Sequence, residues 1–166
     1  MHINLETDYA VRIVDILAKS RFGGERLSAV EISARTNVPQ RFALKILRKL
    51  VAGGIAESYR GVCGGYELCR EPEDVSIYDV AEITEGKIRF SRCLGEGYDC
   101  SCSDELPCAY RRVFGEITDE ICDILKKQTF DRLVRQAPCM PGGKSTEKPE
   151  AKKQICRKKK QTEKTT

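Results

Sequence analysis

The chain has no tryptophan, two methionines and a single histidine, His2. One histidine cannot supply a Cys/His zinc site of the finger type. No stretch approaches the roughly 20 consecutive apolar residues that cross a bilayer, so a membrane helix is excluded. The N-terminal MHINLETDYAVRIV carries acids early and lacks a small-residue cleavage site, so it does not read as a signal peptide. Neither a nucleophile–base pair nor a phosphate-cradling glycine loop is evident, and no catalysis is expected. The paired C-x₂-C spacing of structural zinc sites is missing, and so is ferredoxin spacing.

Cysteine, by contrast, is abundant. There are nine, four of them in CLGEGYDCSCSDELPC, residues 93–108. An odd number fits a secreted disulfide framework poorly. Without an export signal the expected compartment is the reducing cytoplasm, where clustered cysteines serve as metal ligands or redox sensors. Thiolate ligands select iron–sulfur clusters, zinc or copper(I).

The net charge of +4 conceals a division: +4 over residues 1–70, −6 over 71–137 and +6 over 138–166. An acidic centre between basic ends argues against blanket polyanion binding by the folded body and leaves room for a local basic surface.

Periodicity places the elements. In TDYAVRIVDILAKS, Tyr9, Ile13 and Leu17 recur at helical steps, with Asp8 in the first turn. RFGGER breaks that helix. Ser28 and Glu31 form a capping-box pair ahead of AVEISART. After TNVP, Pro39 suits the first position of the helix QRFALKILRKLVAGG, where Phe42, Ile46 and Leu50 share one face and Arg41, Lys45 and Arg48 another. IAESYRGVCGGYELCR reads as two short strands around a glycine-rich tip. SIYDVAEITEG is a helix of about two to three turns. PCAYRRVFGEITDEICDILKKQ is a longer one, with Val113, Ile117, Ile121 and Leu125 on one stripe, and FDRLVRQA continues or follows it. The fold class is mainly α with a small β-wing: a winged helix-turn-helix over 1–70, the cysteine loop and long helices over 71–137, and a disordered basic tail over 138–166.

A recognition helix reads base edges from its N-terminal part. Here Gln40 suits adenine, Arg41 guanine, and Leu44 a thymine methyl, with Lys45 on the same side. Arg48 and Lys49 are placed for phosphate. Arg60, at the base of the glycine-rich wing, is placed for a minor groove. The expected partner is double-stranded DNA carrying a pseudo-palindromic operator.

RFALKILRKLVAGGIAESYRGVCGGYELCR resembles the recognition helix and wing of the Rrf-type bacterial transcription regulators, the IscR/NsrR/RirA group. TDYAVRI, SIYDVAEITEG and the cysteine loop before a long helix extend the resemblance to residues 1–136. It implies a homodimer in which the long helices cross, and an iron–sulfur cluster on three loop cysteines. Cys102 and Cys108 have the family's five-residue separation, and Cys93 is the first ligand; Cys100 is the alternative to Cys102. Some relatives take a fourth ligand from an acid in the partner's first helix, a position matched here by Asp8. Three thiolates and a carboxylate favour a 4Fe–4S cluster over a 2Fe–2S one. The signal would be iron–sulfur status, oxygen or nitric oxide. The rivals are a cluster-free regulator of the same fold that senses thiol oxidation or a partner protein, an electron-transfer protein, and a zinc-stabilised interaction module. Cys63 and Cys69 are read as small, buried or incidental thiols, Cys122 as packing, and Cys139 and Cys156 as incidental. The tail's KKQICRKKK would suit DNA or an acidic partner.

Overall fold

A computed structural model describes residues 3–61, 63–98 and 108–136. These residues contain six α-helices, two short 3-10 helices and a two-stranded antiparallel sheet. The mainly α architecture with a small wing is the expected one. Cys100, Cys102, Cys139, Cys156 and the tail lie outside the described residues. Among the described residues no helix is long and apolar enough to cross a membrane.

Helix α1 (Leu5–Phe22) starts two residues before the expected TDYAV segment, because the Asn4 side chain accepts the Thr7 N–H at 2.9 Å and caps it. Its apolar face, with Ala10, Ile13, Val14 and Leu17, is buried. Helix α2 (Ala29–Thr36) carries the complete Ser28–Glu31 capping box. Asn37 in the left-handed region turns the chain into α3 (Gln40–Ala52). Pro39 is the N-cap of α3 rather than its first helical residue. The buried stripe of α3 is Ala43, Ile46, Leu47 and Leu50. Phe42 is not part of it: the ring is 43 % exposed and lies edge-on to Tyr9, centroids 6.2 Å apart.

Strands β1 (Ala56–Tyr59) and β2 (Gly65–Leu68) pair from Ala56 with Leu68 to Tyr59 with Gly65. Tyr66 also bonds Leu27 in both directions, at 2.8 and 3.1 Å, which fastens the wing to the α1–α2 connection. Gly65 makes this possible. Its φ is +149°, and a Cβ there would sit 2.8 Å from the Leu27 carbonyl oxygen.

Helix α4 (Ile77–Glu85) starts at a second capping box, Ser76 with Asp79, and ends at Gly86. Helix α5 (Ala109–Lys126) follows the cysteine loop, and the short α6 (Phe130–Gln136) is a separate helix. Phe130 N–H donates to the Val75 carbonyl at 2.9 Å, and its fully buried ring completes the core formed by α1, α3 and the wing base. One core therefore draws on Leu17 and Leu50 near the N-terminus and on Val75, Val80 and Phe130 beyond the wing.

Candidate functional site

Because Ala43, Ile46, Leu47 and Leu50 turn inward, the opposite side of α3 must face out. Arg41, Phe42, Leu44, Lys45 and Arg48 line one shallow hollow of about 380 Å³ there. Gln40, Arg41, Lys45 and Arg48 are exposed and Leu44 is half-buried. The Arg41 guanidinium lies 5.8 Å from the Phe42 ring centroid, a contact that orients the side chain without neutralising it. Arg48 has no ion-pair partner among the described residues, and the same holds for Arg60, exposed just after β1.

Lys49 is placed differently. It is half-buried, with Nζ 2.9 Å from Glu6 Oε1 and 3.3 Å from the Thr84 carbonyl oxygen. Lys45 reaches Glu6 Oε2 at 3.3 Å. The Lys49 hydrogen bond, opposed by partial burial and reinforced by Lys45, holds the Glu6 carboxyl below the ordinary glutamate range.

The wing is less basic than its tip suggests. Glu57 and Glu67 face each other across the strands, and Arg26 offsets them. Its guanidinium bonds Glu67 at 3.0 Å and stacks 3.5 Å over the Tyr59 ring. Hydrogen bonds to Glu67 and Glu57 push the Tyr59 hydroxyl up to about 12. The wing is thus braced from below, with Arg60 as its outward cation.

Of the loop thiols, Cys93 and Cys108 fall within the described residues, and both are half-buried and free of disulfides. Cys93 lies in a turn, Arg92–Leu94, capped by Ser91, and its sulfur lies 3.2 Å from the Ser91 hydroxyl. Cys108 is the N-cap of α5, at the positive end of the helix dipole. Asp8 is paired with Arg12 at 2.7 Å on the outer side of α1. Among the described residues no group of three or more metal-ligating side chains converges. Cys93 and Cys108 thus stand at the two ends of the loop segment, and Asp8 lies on a different element. Burial pushes the Cys122 thiol up, in keeping with a packing role. Cys63, read from the sequence as a small, buried or incidental thiol, is disulfide-bonded.

Helix α5 buries only Thr118. Ile117, Ile121 and Leu125 are half-buried, and Tyr110, Val113 and Ile124 are exposed at 75, 41 and 58 %. Much of the apolar surface of this 18-residue helix therefore lies outside the buried core.

Residues 3–136 match the family model Rrf2, described as an iron-dependent transcriptional regulator. A putative rrf2-like HTH-type transcriptional regulator of Rhodobacter capsulatus is 35 % identical over 120 residues, 69 % of this chain and 80 % of that protein. Among solved structures, IscR of T. potens matches with a TM-score of 0.67 at 23 % identity, covering 86 % of this chain and 94 % of that one. CymR, described as the global cysteine regulator of B. subtilis, matches at 0.68 and 23 %, covering 83 and 99 %. At these identities the two structures establish the winged-helix fold alone.

Proposed function

The chain belongs to the Rrf2 family of transcriptional regulators, and from that premise we propose that it is a homodimeric operator-binding protein whose DNA affinity follows an iron–sulfur cluster. Cys93, Cys102 and Cys108 of one subunit and Asp8 of the other would hold the cluster, of the 4Fe–4S type, with Cys100 as the alternative to Cys102. The observation that carries this reading is the state of Cys93 and Cys108, two half-buried thiols, free of disulfides, at the two ends of the loop. Bound there, the cluster supplies a centre whose loss under oxygen, nitric oxide or iron shortage is the signal.

The chain's own residues do the rest. Gln40, Arg41 and Lys45, with Leu44 beside them, present base-reading groups, Arg48 meets the backbone, and Arg60 extends the contact into the neighbouring minor groove. The apolar face of α5 receives its counterpart from a second copy. Two recognition helices in a two-fold dimer would engage half-sites about one helical turn apart. Asp8 lies on the same first helical turns as Tyr9, which packs on Phe42 of α3. Anchoring Asp8 across the dimer would therefore fix the recognition helix relative to the partner.

Anaerobic reconstitution with iron and sulfide tests this. Wild type should gain visible absorbance with stoichiometric iron and sulfide; Cys93→Ala, Cys102→Ala and Cys108→Ala should not. Cys100→Ala should largely keep the cluster, and Asp8→Ala should give a labile one, since water or added thiol replaces a carboxylate readily. A wild type that takes up zinc or no metal defeats the proposal. If Cys100→Ala loses the cluster and Cys102→Ala keeps it, the two ligands must be exchanged.

The Cys63 disulfide favours a second reading, a cluster-free regulator of the same fold that responds to thiol oxidation. It requires that a reductant change operator affinity in wild type and leave a Cys63→Ser variant unaffected.

A further inference from the structure

Lys49 reads from its position as one of the recognition helix's phosphate contacts. We infer instead that Lys49 and Glu6 form an internal junction that positions the recognition helix, and that Lys49 does not touch DNA. The inference rests on the DNA-binding reading above and is independent of the cluster.

Three elements meet at this point. Glu6 comes from the first turn of α1, Lys49 from the last turn of α3, and the Thr84 carbonyl from the end of α4. The Lys49 ammonium spans all three, 2.9 Å from Glu6 and 3.3 Å from Thr84. Glu6 Oε1 is sealed from solvent and accepts no well-aligned hydrogen bond, so the Lys49 ammonium 2.9 Å away is the charge that answers it. Around the junction the same elements are bonded again. The fully buried Thr7 meets the Thr84 hydroxyl at 2.7 Å and donates to Glu85 at 2.5 Å, and the Asn4 N–H donates to Glu85 at 3.0 Å. One turn on from Lys49, Gly53 packs closely on Ile83 of α4: a Cβ there would sit 2.3 Å from the Ile83 Cδ1, so the Ile83 side chain would have to shift. Lys49 is also absent from the hollow that gathers Arg41, Leu44, Lys45 and Arg48.

An ammonium held against Glu6 and the Thr84 carbonyl would have to abandon both to reach a phosphate, leaving the buried Glu6 Oε1 without its nearest cation and only Lys45, at 3.3 Å from Oε2, beside the carboxylate. Arg48, one residue earlier, is exposed with no such commitment. The chain leaves α4 at Gly86 and runs to Cys93, so the junction also ties α3 to the helix end from which the cysteine loop departs.

The test uses the full-length protein, an operator selected from a random duplex pool, and a random duplex of equal length. Affinities are measured by fluorescence anisotropy across a salt series. A phosphate contact removed lowers the slope of log K against log salt by about 1. Arg48→Met should show that loss. Lys49→Met should keep the wild-type slope while its operator-to-random affinity ratio falls roughly fivefold, the lower end of measured site-to-site coupling. Lys49→Arg should restore the ratio. Glu6→Gln removes a negative charge near the DNA face, so electrostatics alone predicts tighter binding to both duplexes and an unchanged ratio; the junction predicts that the ratio falls. Glu6→Gln is nearly isosteric and gives the answer even if Lys49→Met fails to fold. A lowered slope in Lys49→Met, or an unchanged ratio in Glu6→Gln, overturns the inference. Wild type binding neither duplex would instead remove the DNA-binding reading, and the inference with it.

Discussion

Truncating Phe130 to alanine should reveal whether the helix after the long α5 is part of the DNA-binding fold. The ring is fully buried, and it is among the largest side chains to be so. Its backbone N–H bonds the Val75 carbonyl, and Ser76 bridges Thr129 beside it, so the surrounding chain is held and cannot collapse into the space left. A Phe→Ala cavity of this kind costs about 3–5 kcal/mol. Against a typical total of about 5–15 kcal/mol that is a large fraction. Urea unfolding should show the midpoint falling with an unchanged m-value, and the melting temperature should drop by roughly 10 °C. Phe130→Leu, which keeps most of the volume, should cost below about 1.5 kcal/mol. Operator binding by Phe130→Ala should weaken in parallel with the unfolded fraction, because α6 shares a core with α1 and α3. A loss under about 1 kcal/mol would refute the single shared core.

Arg41→Ala should cost about 1–3 kcal/mol of operator affinity and relax selection at one base step, whereas Arg60→Ala should weaken binding only where the wing meets a minor groove. A gel-shift titration against single-base operator variants separates the two. Ile121→Asp, on the half-buried stripe of α5, should shift the protein toward monomer in sedimentation velocity and lower operator affinity with it. The wing brace should titrate in acid. Burial alone would raise the Glu67 carboxyl, yet the bonds from Arg26 and Tyr59 outweigh it and hold the group below the ordinary glutamate range. The contact's contribution is therefore full above the unfolded glutamate pKa and is lost as pH falls through the lower folded value. Thermal melts over that acid window should decline less steeply for Glu67→Gln than for wild type.

Much of the fold was legible because its signals are local. Ser28 and Glu31 announce α2 by a pairing three residues apart, and the alternation on both sides of Gly64 and Gly65 announces the hairpin. What depends on contacts between distant residues was not. Phe42 follows the helical period of the apolar residues, yet Ala43 and Leu47 fill the core and leave Phe42 to meet Tyr9. Whether FDRLVRQA continues the long helix or follows it is decided by Val75, whose carbonyl captures the Phe130 N–H. At the candidate site, Arg41, Lys45 and Arg48 could be grouped by spacing, since one helix carries all three. Lys49 has the same chemistry and the same helix, but Glu6 and Thr84, both remote in sequence, decide its role.

The most direct test of the account is one titration performed twice: operator affinity of the anaerobically reconstituted protein, and of the same preparation after its iron has been removed by a chelator under reducing conditions. The account predicts that the two affinities differ by at least about fivefold, the lower bound of ordinary coupling between sites, and that Cys93→Ala behaves in both arms like the iron-free protein. Equal affinities in the two arms, with iron shown to be present in the first, would contradict it.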